Sequence, residues 1–466
     1  MGKLQTPETA YFQKVERNRG CVANRRTKDY VNNGIRLLVV FMVIVYSTKT
    51  TNALPPPSSP SVDFIILHNA TELGAGVSPS KPTPYPSGND PNKVNLHFLQ
   101  NAKELGAVCL DGSKPGYYFS KGFGSGSNNW LIHIEGGGWC DSIESCYNRT
   151  LSPYGFGSSK FMGEEIAFSG ILSSNKSQNP DFYNWNRVKV HYCDGASFSG
   201  TPMSENENTT RNNLFFRGKL IWDAVMDELL NLGLSNAKQA FLTGCSAGGL
   251  STLIKCDSFA EFFPNEVKVK CLSDAGFFMD EKDMFGGLTM RSFFHEVVKL
   301  QGVETNLNKH CLAELKPFPG SLSQCLFPQN FVKYIKTPLF LVNPTYDWWQ
   351  IGNILHPPTL NDGWVNCTND IALCNKSQLQ KLHGFRHSML KELTKYKKQK
   401  NMGMFIDSCF AHCQTDSDKW HLHSPKINNK TIAEAVGDWY FNRKTVHEID
   451  NGLYRHNPTC SNKVWE

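Results

Sequence analysis

The sequence lacks an excess of charge outside its first 53 residues. Residues 1–53 contain nine Lys and Arg but three Asp and Glu, and this difference accounts for the whole net charge of +6. The rest of the chain has no net positive charge with which to attract a nucleic acid, so a nucleic-acid-binding function is excluded. From residue 94 onward the sequence also has no internal repeats and no low-complexity runs. We therefore expect that part of the chain to be globular.

The sequence also lacks an apolar run long enough for a typical membrane span. Residues 37–46 are apolar over ten positions, whereas a span needs about 17–25 residues. Basic residues precede this run and the small residues Thr51-Asn52-Ala53 follow it, as in a signal peptide. We expect residues 1–53 to be a basic leader and signal peptide, with an uncleaved anchor as the alternative. Residues 54–92 are rich in Pro and Ser and indicate a linker, which leaves 93–466 as the main domain.

Two further features favour export. The sequence contains seven Asn-x-Ser/Thr glycosylation sequons, at Asn69, Asn148, Asn175, Asn208, Asn366, Asn375 and Asn429. One of its 15 cysteines lies in the leader, and the even number that remains predicts disulfides in an oxidising compartment. Candidates for small disulfide loops are the close pairs Cys140/Cys146, Cys311/Cys325 and Cys367/Cys374. We therefore expect a secreted glycoprotein.

Short apolar segments alternate with helical ones along the main domain. The strands are predicted at 117–119, 130–134, 188–192, 239–243, 269–272, 337–342 and 403–406. The helices are predicted at 213–232, 249–259, 378–397 and 431–441. This alternation predicts an α/β fold with a mostly parallel central sheet and helices on both faces. Ligands bind such sheets at the carboxyl ends of the strands.

The motif Gly244-Cys245-Ser246-Ala247-Gly248 lies between a predicted strand and a predicted helix. Strand, G-x-S-x-G and helix together are the context of a nucleophile elbow, a tight turn that exposes a serine hydroxyl at its tip. The alternative is a Gly/Ser turn without chemistry. The assignment of Ser246 as a nucleophile therefore depends on its partners.

A serine nucleophile needs a histidine to take its proton and a carboxylate to orient that histidine. In α/β-hydrolases the acid and then the histidine follow the serine along the chain. Asp347 follows the predicted strand 337–342, and His412 follows the strand 403–406. Order and position favour these two residues. The other candidates for the base are His387, His421 and His423.

Two further segments bear on the chemistry. The run Gly136-Gly137-Gly138 follows a predicted strand, and with the N–H of Ala247 its backbone could bind the oxyanion of a reacting ester. A plain glycine-rich turn is the alternative. The residues Cys409, His412 and Cys413 have types and spacing that would also suit zinc, but no second pair accompanies them. Cys245 is expected to be buried or disulfide-bonded, with a reactive thiol as the alternative.

Six ordered motifs within residues 94–460 resemble those of plant pectin acetylesterases, a family related to the Notum-type lipid deacylases of animals. They are Gly106-Ala-Val-Cys-Leu-Asp-Gly112, Gly122-Phe-Gly-Ser-Gly126, Asn129-Trp130, Glu135-Gly-Gly-Gly-Trp-Cys140, Gly244-Cys-Ser-Ala-Gly-Gly249 and Ser273-Asp-Ala-Gly276. The resemblance implies an α/β-hydrolase-like fold and hydrolysis of acetyl esters at O-2 or O-3 of galacturonate in cell-wall pectin. It implies the nucleophile Ser246, the acid Asp347, the base His412 and oxyanion donors at Gly137, Gly138 and Ala247.

We therefore expect residues 93–466 to form a serine esterase that acts through an acetyl-enzyme and needs neither a cofactor nor a metal. Trp139 and His191 are expected to contact the substrate, acetylated pectin. The enzyme is expected to be an extracellular, cell-wall monomer without a stable membrane partner. Two alternatives are an esterase of the same mechanism for another acyl group, on a lipid-modified protein or another polysaccharide, and an inactive wall-binding protein on a hydrolase scaffold.

Overall fold

The structure is a computed structural model that describes residues 93–201, 213–318, 320–356 and 363–461. The predicted leader, the predicted linker and the sequons at Asn69 and Asn208 lie outside the described residues. No helix of the described ranges is long and apolar enough to cross a membrane. All five sequon asparagines that are described are exposed.

The described chain is built around a ten-stranded sheet. Its strands are β1 Lys93–Phe98, β2 Gly116–Ser120, β3 Asn129–Ile134, β4 Glu165–Ala167, β5 Asn186–Val190, β6 Gln239–Cys245, β7 Lys268–Asp274, β8 Leu339–Pro344, β9 Met402–Asp407 and β10 His447–Ile449. They lie in the order β10-β9-β8-β7-β6-β3-β5-β2-β1-β4. The strands from β10 to β5 run parallel, whereas β2, β1 and β4 pair antiparallel. The predicted α/β fold with a mostly parallel sheet is confirmed.

The helices connect the strands and cover the sheet. The α-helices of the described residues are Ile143–Thr150, Gly218–Leu232, Ala247–Ala260, Thr289–Gln301, Lys309–Leu315, Pro328–Phe331, Trp348–Gln350, Val365–Asn369, Lys376–Leu393 and Ile432–Tyr440, and a π-helix spans Ile351–Leu355. The helix predicted from residue 213 begins only at Gly218, because Asn213 has a positive φ and Leu214 and Phe216 pack into a separate small core cluster. The other predicted helices are present with ends shifted by a few residues.

Alternate residues of the central strands pack on opposite faces of the sheet. On β3, Ile132 belongs to the larger core cluster and Leu131 to the second one, and Leu242 and Phe241 on β6 divide in the same way. This alternation follows from the two-residue period of a strand. The helix Gly218–Leu232 covers the first face, and the helix Ile432–Tyr440 covers the second.

The register of the parallel strands aligns their carboxyl ends. Ile134 on β3 pairs with Gly244 on β6, Cys245 pairs with Asp274 on β7, and Pro344 on β8 pairs with Asp407 on β9. The segments that follow these strands therefore leave the sheet at one edge, where α/β proteins bind their ligands.

Seven disulfides connect all fourteen cysteines of the described chain: Cys109–Cys193, Cys140–Cys146, Cys245–Cys413, Cys256–Cys271, Cys311–Cys325, Cys367–Cys374 and Cys409–Cys460. The prediction of a disulfide-bonded body is confirmed, and the three close pairs are bonded as expected. The other four connections join residues that the sequence alone could not pair.

Candidate active site

Ser246 occupies the tight turn between β6 and the helix Ala247–Ala260. Its φ of 56° and ψ of −125° are unusual for a residue with a side chain. Two glycines make the turn possible: a Cβ on Gly244 would overlap the carbonyl of Gly248, and a Cβ on Gly248 would overlap the carbonyl of Ile134. The structure thus contains the strand, the strained turn and the helix that the motif predicts.

Two hydrogen bonds connect Ser246, His412 and Asp347. The Oγ of Ser246 lies 2.8 Å from Nε2 of His412, and Nδ1 of His412 lies 2.8 Å from Oδ1 of Asp347. The Asp347 carboxylate is fully buried and also accepts from the backbone N–H of Gln350 at 3.1 Å. The structure therefore brings together the three side chains that the sequence singled out. With Nδ1 donating its proton to Asp347, Nε2 is free to accept the proton of Ser246.

The three competing histidines have other surroundings. His421 lies 3.1 Å from Oγ1 of Thr431, and His423 lies 2.5 Å from the carboxylate of Asp418. His387 lies on the helix Lys376–Leu393. Among the histidines of the described ranges, His412 is therefore the one that contacts the Ser246 hydroxyl.

Covalent and hydrogen bonds hold the segment around His412 against the elbow. The disulfide Cys245–Cys413 joins the residue before Ser246 to the residue after His412. Asp274, at the end of β7, accepts from the backbone of Ser246 through its carbonyl at 2.9 Å. Its carboxylate accepts from the backbone N–H of Gln414 at 2.7 Å. The positions of the serine and the histidine are thus coupled through two independent links.

The glycine run after β3 passes directly beside Ser246. A Cβ on Gly136 would approach the Cβ of Ser246 to 2.8 Å. Within the described part of the chain, the backbone N–H groups of Gly137 and Gly138 donate to no protein acceptor. The N–H of Ala247 belongs to the first turn of its helix, where no intrahelical acceptor exists. The arrangement therefore offers donors that could bind an oxyanion next to the serine.

Buried hydrogen bonds fix this glycine run and the start of the helix relative to each other. The hydroxyl of Tyr192 donates to the carbonyl of Gly138 at 2.7 Å. The indole N–H of Trp139 donates to Oγ of Ser197 at 2.8 Å, and that hydroxyl donates to the carbonyl of Ala247 at 2.8 Å. Such a network orients the backbone donors before any substrate binds.

A cavity of about 380 Å³ opens above Ser246 and His412. One part of its wall is aromatic and is formed by Trp139, Tyr154, Phe156, Phe293, Trp348 and Trp349. Another part is charged and is formed by Glu135, Arg149, Lys189 and Asp416. Of these residues, Trp139 was predicted from the sequence to contact the substrate, and the others were not. Trp348 and Trp349 could have been identified, because they follow Asp347 directly in the sequence. The remaining lining residues come from other parts of the chain, and the sequence holds no signal that places them here.

The charged wall contains a compact ion-pair network. Lys189 lies 3.2 Å and His191 lies 2.6 Å from the carboxylate of Glu135. Burial alone would raise the pKa of Glu135, but the two cationic partners outweigh it and hold that pKa well below its usual range. His191, which is predicted to contact the substrate, is not one of the residues that line the cavity, and its other ring nitrogen lies 3.0 Å from the carbonyl of Gly155. His191 is placed to orient the carboxylate of Glu135.

The cysteines that could have formed a zinc site are bonded elsewhere. Cys409 is bonded to Cys460, and Cys413 is bonded to Cys245, so neither sulfur is a free thiolate. The alternative of a reactive Cys245 thiol is likewise replaced by a disulfide. Over the described ranges, no group of three or more His, Cys, Asp or Glu side chains is placed to hold a metal ion.

Comparison with known proteins gives a consistent set of relatives. The profile of the family described as "PAE: Pectinacetylesterase" matches residues 87–461. Pectin acetylesterase 5 of Arabidopsis thaliana is 54% identical over 430 residues, which cover 91% of this chain and 93% of the relative. Pectin acetylesterase 4 of Arabidopsis thaliana is 53% identical over 368 residues, which cover 78% and 88%. The palmitoleoyl-protein carboxylesterase notum1a of Danio rerio is 32% identical over 397 residues, which cover 79% and 72%. The resemblance found in the sequence motifs is confirmed.

Proposed function

The chain belongs to the pectinacetylesterase family of carboxylic ester hydrolases, and from this premise we propose that it is an exported serine esterase that removes acetyl groups from galacturonate residues of cell-wall pectin. The observation that carries the proposal is the pair of 2.8 Å contacts that link Ser246, His412 and Asp347. A serine, a histidine and a buried carboxylate in this order are the components of acyl transfer by a serine hydrolase.

In the first half of the reaction, Oγ of Ser246 attacks the carbonyl carbon of the acetyl ester. Nε2 of His412 takes the hydroxyl proton, and Asp347 holds the ring in the required tautomer and stabilises its positive charge. The backbone N–H groups of Gly137, Gly138 and Ala247 stabilise the oxyanion. Collapse of the tetrahedral intermediate breaks the ester bond, and His412 returns the proton to the departing sugar hydroxyl.

In the second half, water replaces the sugar and attacks the acetyl-enzyme. His412 accepts a proton from that water, and the second tetrahedral intermediate is held by the same N–H groups. When it collapses, acetate leaves and Ser246 recovers its proton. Protein groups supply every proton transfer in this cycle, so the chemistry requires no cofactor or metal.

The substrate assignment follows from the relatives and from the cavity. Two relatives with more than half of their aligned residues identical to this chain are named pectin acetylesterases. The cavity wall combines aromatic and charged side chains, which suits an acetylated, acidic sugar. We propose that Trp139 lines the part of the cavity near the acetyl group, since its indole contacts Trp349 and its N–H is already bonded to Ser197.

Export to the cell wall is supported by several independent features. Seven disulfides require an oxidising compartment, and every described sequon presents an exposed asparagine. We propose that residues 1–53 form the leader, 54–92 the linker and 93–466 the catalytic domain of a monomer without a stable membrane partner. The family match, which starts at residue 87, supports that boundary.

A second candidate function is the hydrolysis of longer acyl esters. The cavity of about 380 Å³ is larger than an acetyl group needs, and much of its wall is aromatic. One relative is named a palmitoleoyl-protein carboxylesterase. Comparing kcat/KM for p-nitrophenyl acetate and p-nitrophenyl esters of longer chains separates the two candidates. A preference for acetate supports the first, and a preference for long chains supports the second.

The proposed function is tested by acetate release from acetylated pectin. The wild-type protein is expected to release acetate, and Ser246→Ala is expected to lose at least about 10³-fold in rate because the nucleophile is missing. Ser258→Ala is a matched control, since Ser258 is exposed on the same helix and its hydroxyl donates to the carbonyl of Lys255. Equal release by the wild type and Ser246→Ala would refute the proposed mechanism.

A further inference from the structure

Arg149 presents a rigidly held guanidinium to the cavity. It lies near the end of the helix Ile143–Thr150 and forms part of the cavity wall. Its Nε donates to the carbonyl of Phe156 at 2.9 Å. Its guanidinium carbon lies 5.3 Å from the ring centroids of both Phe156 and Tyr192. Two aromatic rings and a backbone oxygen thus fix the plane of the guanidinium without neutralising its charge.

The charge of Arg149 has no carboxylate partner among the described residues. By contrast, Arg291 pairs with Asp280 at 2.9 Å, and Arg443 pairs with Asp181. Arg187 is also buried without a carboxylate, but each of its three nitrogens donates to an oxygen atom. The hydrogen bonds of Arg149 in the described chain use Nε and Nη2, which leaves Nη1 without an acceptor there. Nη1 is also not one of the buried polar atoms without a partner in the described chain, so it remains accessible to a ligand anion.

The other cations of this region are already neutralised. Lys189 is 3.2 Å from Glu135 and is also attracted by Asp416. His191 is 2.6 Å from Glu135 and does not reach the cavity. Asp194 attracts Arg149 but forms no ion pair with it in the described chain. One oxygen of its carboxylate, Oδ2, accepts from the backbone N–H groups of Ala196 and Phe198. Of Arg149 and Lys189, the two basic side chains in the described cavity wall, Arg149 is therefore the one without an ion-pair partner, and its guanidinium is the candidate to bind an anionic ligand.

We propose that Arg149 is the specificity-determining residue of the site, and that it binds the carboxylate of a uronate residue at or next to the sugar that carries the scissile acetyl group. This inference rests on the proposed function. Nη2 of Arg149 lies 3.5 Å from the carbonyl of Gly138, the residue whose N–H faces the oxyanion. The carboxylate and the acetyl group of the substrate would thus be held within one short stretch of the cavity wall.

The chemistry of a guanidinium suits this task. Its planar fork can donate two parallel hydrogen bonds to one carboxylate, which fixes orientation as well as charge. The aromatic rings of Phe156 and Tyr154 stack near it with centroids 5.7 Å apart and offer a surface for the apolar face of a sugar ring. Neutral acetylated sugars would leave the Arg149 charge unpaired. The site would therefore discriminate against them by about tenfold to a hundredfold.

The test compares two substrates that differ only in the carboxylate. One is an O-acetylated oligogalacturonide with free carboxylates, and the other is the same oligomer after methyl esterification. The readout is the ratio of kcat/KM for acetate release from the acid to that from the ester. The wild type is expected to prefer the acid by about tenfold to a hundredfold. Arg149→Gln is expected to bring this ratio close to one, whatever its absolute rates.

Two further variants separate recognition from a structural role. Arg149→Lys keeps the charge but loses the fork, so its ratio is expected to fall between those of the wild type and Arg149→Gln. It also provides the readout if Arg149→Gln does not fold. Arg443→Gln is the matched control, because Arg443 likewise lies over an aromatic ring, at 4.9 Å from Phe441, and is paired with Asp181 away from the cavity. Its ratio is expected to equal that of the wild type.

The outcomes distinguish the inference from the function on which it rests. A wild type that releases acetate equally from the acid and the ester, or an Arg149→Gln variant that keeps the wild-type ratio, would overturn the role of Arg149 while leaving the proposed function intact. An Arg149→Lys ratio as high as that of the wild type would also count against fork recognition. Failure of the wild type to release acetate from either oligomer, with p-nitrophenyl acetate still cleaved, would refute the pectin assignment itself.

Discussion

The disulfide Cys245–Cys413 gives a prediction that joins stability to activity. It closes a loop with a sequence separation of 168 residues and has one end beside Ser246 and the other beside His412. In the chain-entropy description, a loop of that length contributes about 5 kcal/mol to the free energy of unfolding. The double variant Cys245→Ala/Cys413→Ala is therefore expected to lose up to that amount, because its unfolded chain is less restricted.

The same variant is expected to lose catalytic rate as well. Without the bond, the hydrogen bonds of Asp274 to the segment after His412 remain, but the direct covalent link between the elbow and that segment is gone. Small misplacements of reacting groups are expensive, so we expect kcat for p-nitrophenyl acetate to fall by about tenfold to a hundredfold. Urea unfolding followed by fluorescence gives the stability, and steady-state kinetics at a temperature where both proteins are folded gives kcat.

The disulfide Cys367–Cys374 is the matched control. It closes a sequence separation of 7 residues and does not border the cavity. Its removal by Cys367→Ala/Cys374→Ala is expected to cost about 2 kcal/mol and to leave kcat unchanged. If Cys245→Ala/Cys413→Ala loses stability but keeps the wild-type kcat, this bond does not hold the histidine against the serine.

Two further predictions concern buried carboxylates. Asp347→Asn is expected to lower kcat by about 10⁴-fold with little change in KM, because an amide favours the wrong tautomer of His412. A loss of kcat below about tenfold in steady-state assays would contradict the role of Asp347. Burial raises the pKa of Asp407 to about 7, above the value of about 3.9 in unfolded chains. The neutral acid therefore stabilises the fold fully below about pH 4, and this stabilisation, at most about 4 kcal/mol, is lost as the pH rises to about 7. Asp407→Asn removes this pH dependence. The free energy of unfolding of Asp407→Asn minus that of the wild type, measured with urea, should therefore increase between pH 4 and pH 8. A constant difference across that range would contradict the protonation of Asp407.

The parts of the site that follow from local sequence could be predicted. The elbow requires small residues around one serine, and Gly244 and Gly248 mark it because a Cβ at either position would overlap backbone atoms. Asp347 and His412 could be placed because each follows a strongly apolar strand, and parallel strands end at one edge of the sheet. Local chemistry and topology were sufficient for these three residues.

The edges of the fold and the charged wall could not be predicted. The strands Lys93–Phe98 and Glu165–Ala167 are short and largely exposed, so they lack the apolar pattern that identifies a strand. The ion pair of Lys189 and Glu135 joins residues from two different strand ends. Whether a charged side chain such as that of Arg149 has an ion-pair partner depends on residues that are distant in the sequence. A local sequence pattern cannot predict such contacts. The prediction that His191 contacts the substrate used only its neighbours in the sequence, whereas its contacts with Glu135 and Gly155 come from other parts of the chain.

In the proposed mechanism, Ser246 carries the acyl group during turnover. Wild-type protein mixed with excess p-nitrophenyl acetate is quenched in acid during the reaction, reduced, digested and analysed by mass spectrometry. We expect an acetyl group on the Ser246 side chain in the peptide that contains Cys245, and no acetyl group on the same peptide of the Ser246→Ala protein treated in the same way. Acetylation of a different side chain at a rate that matches turnover would contradict this mechanism.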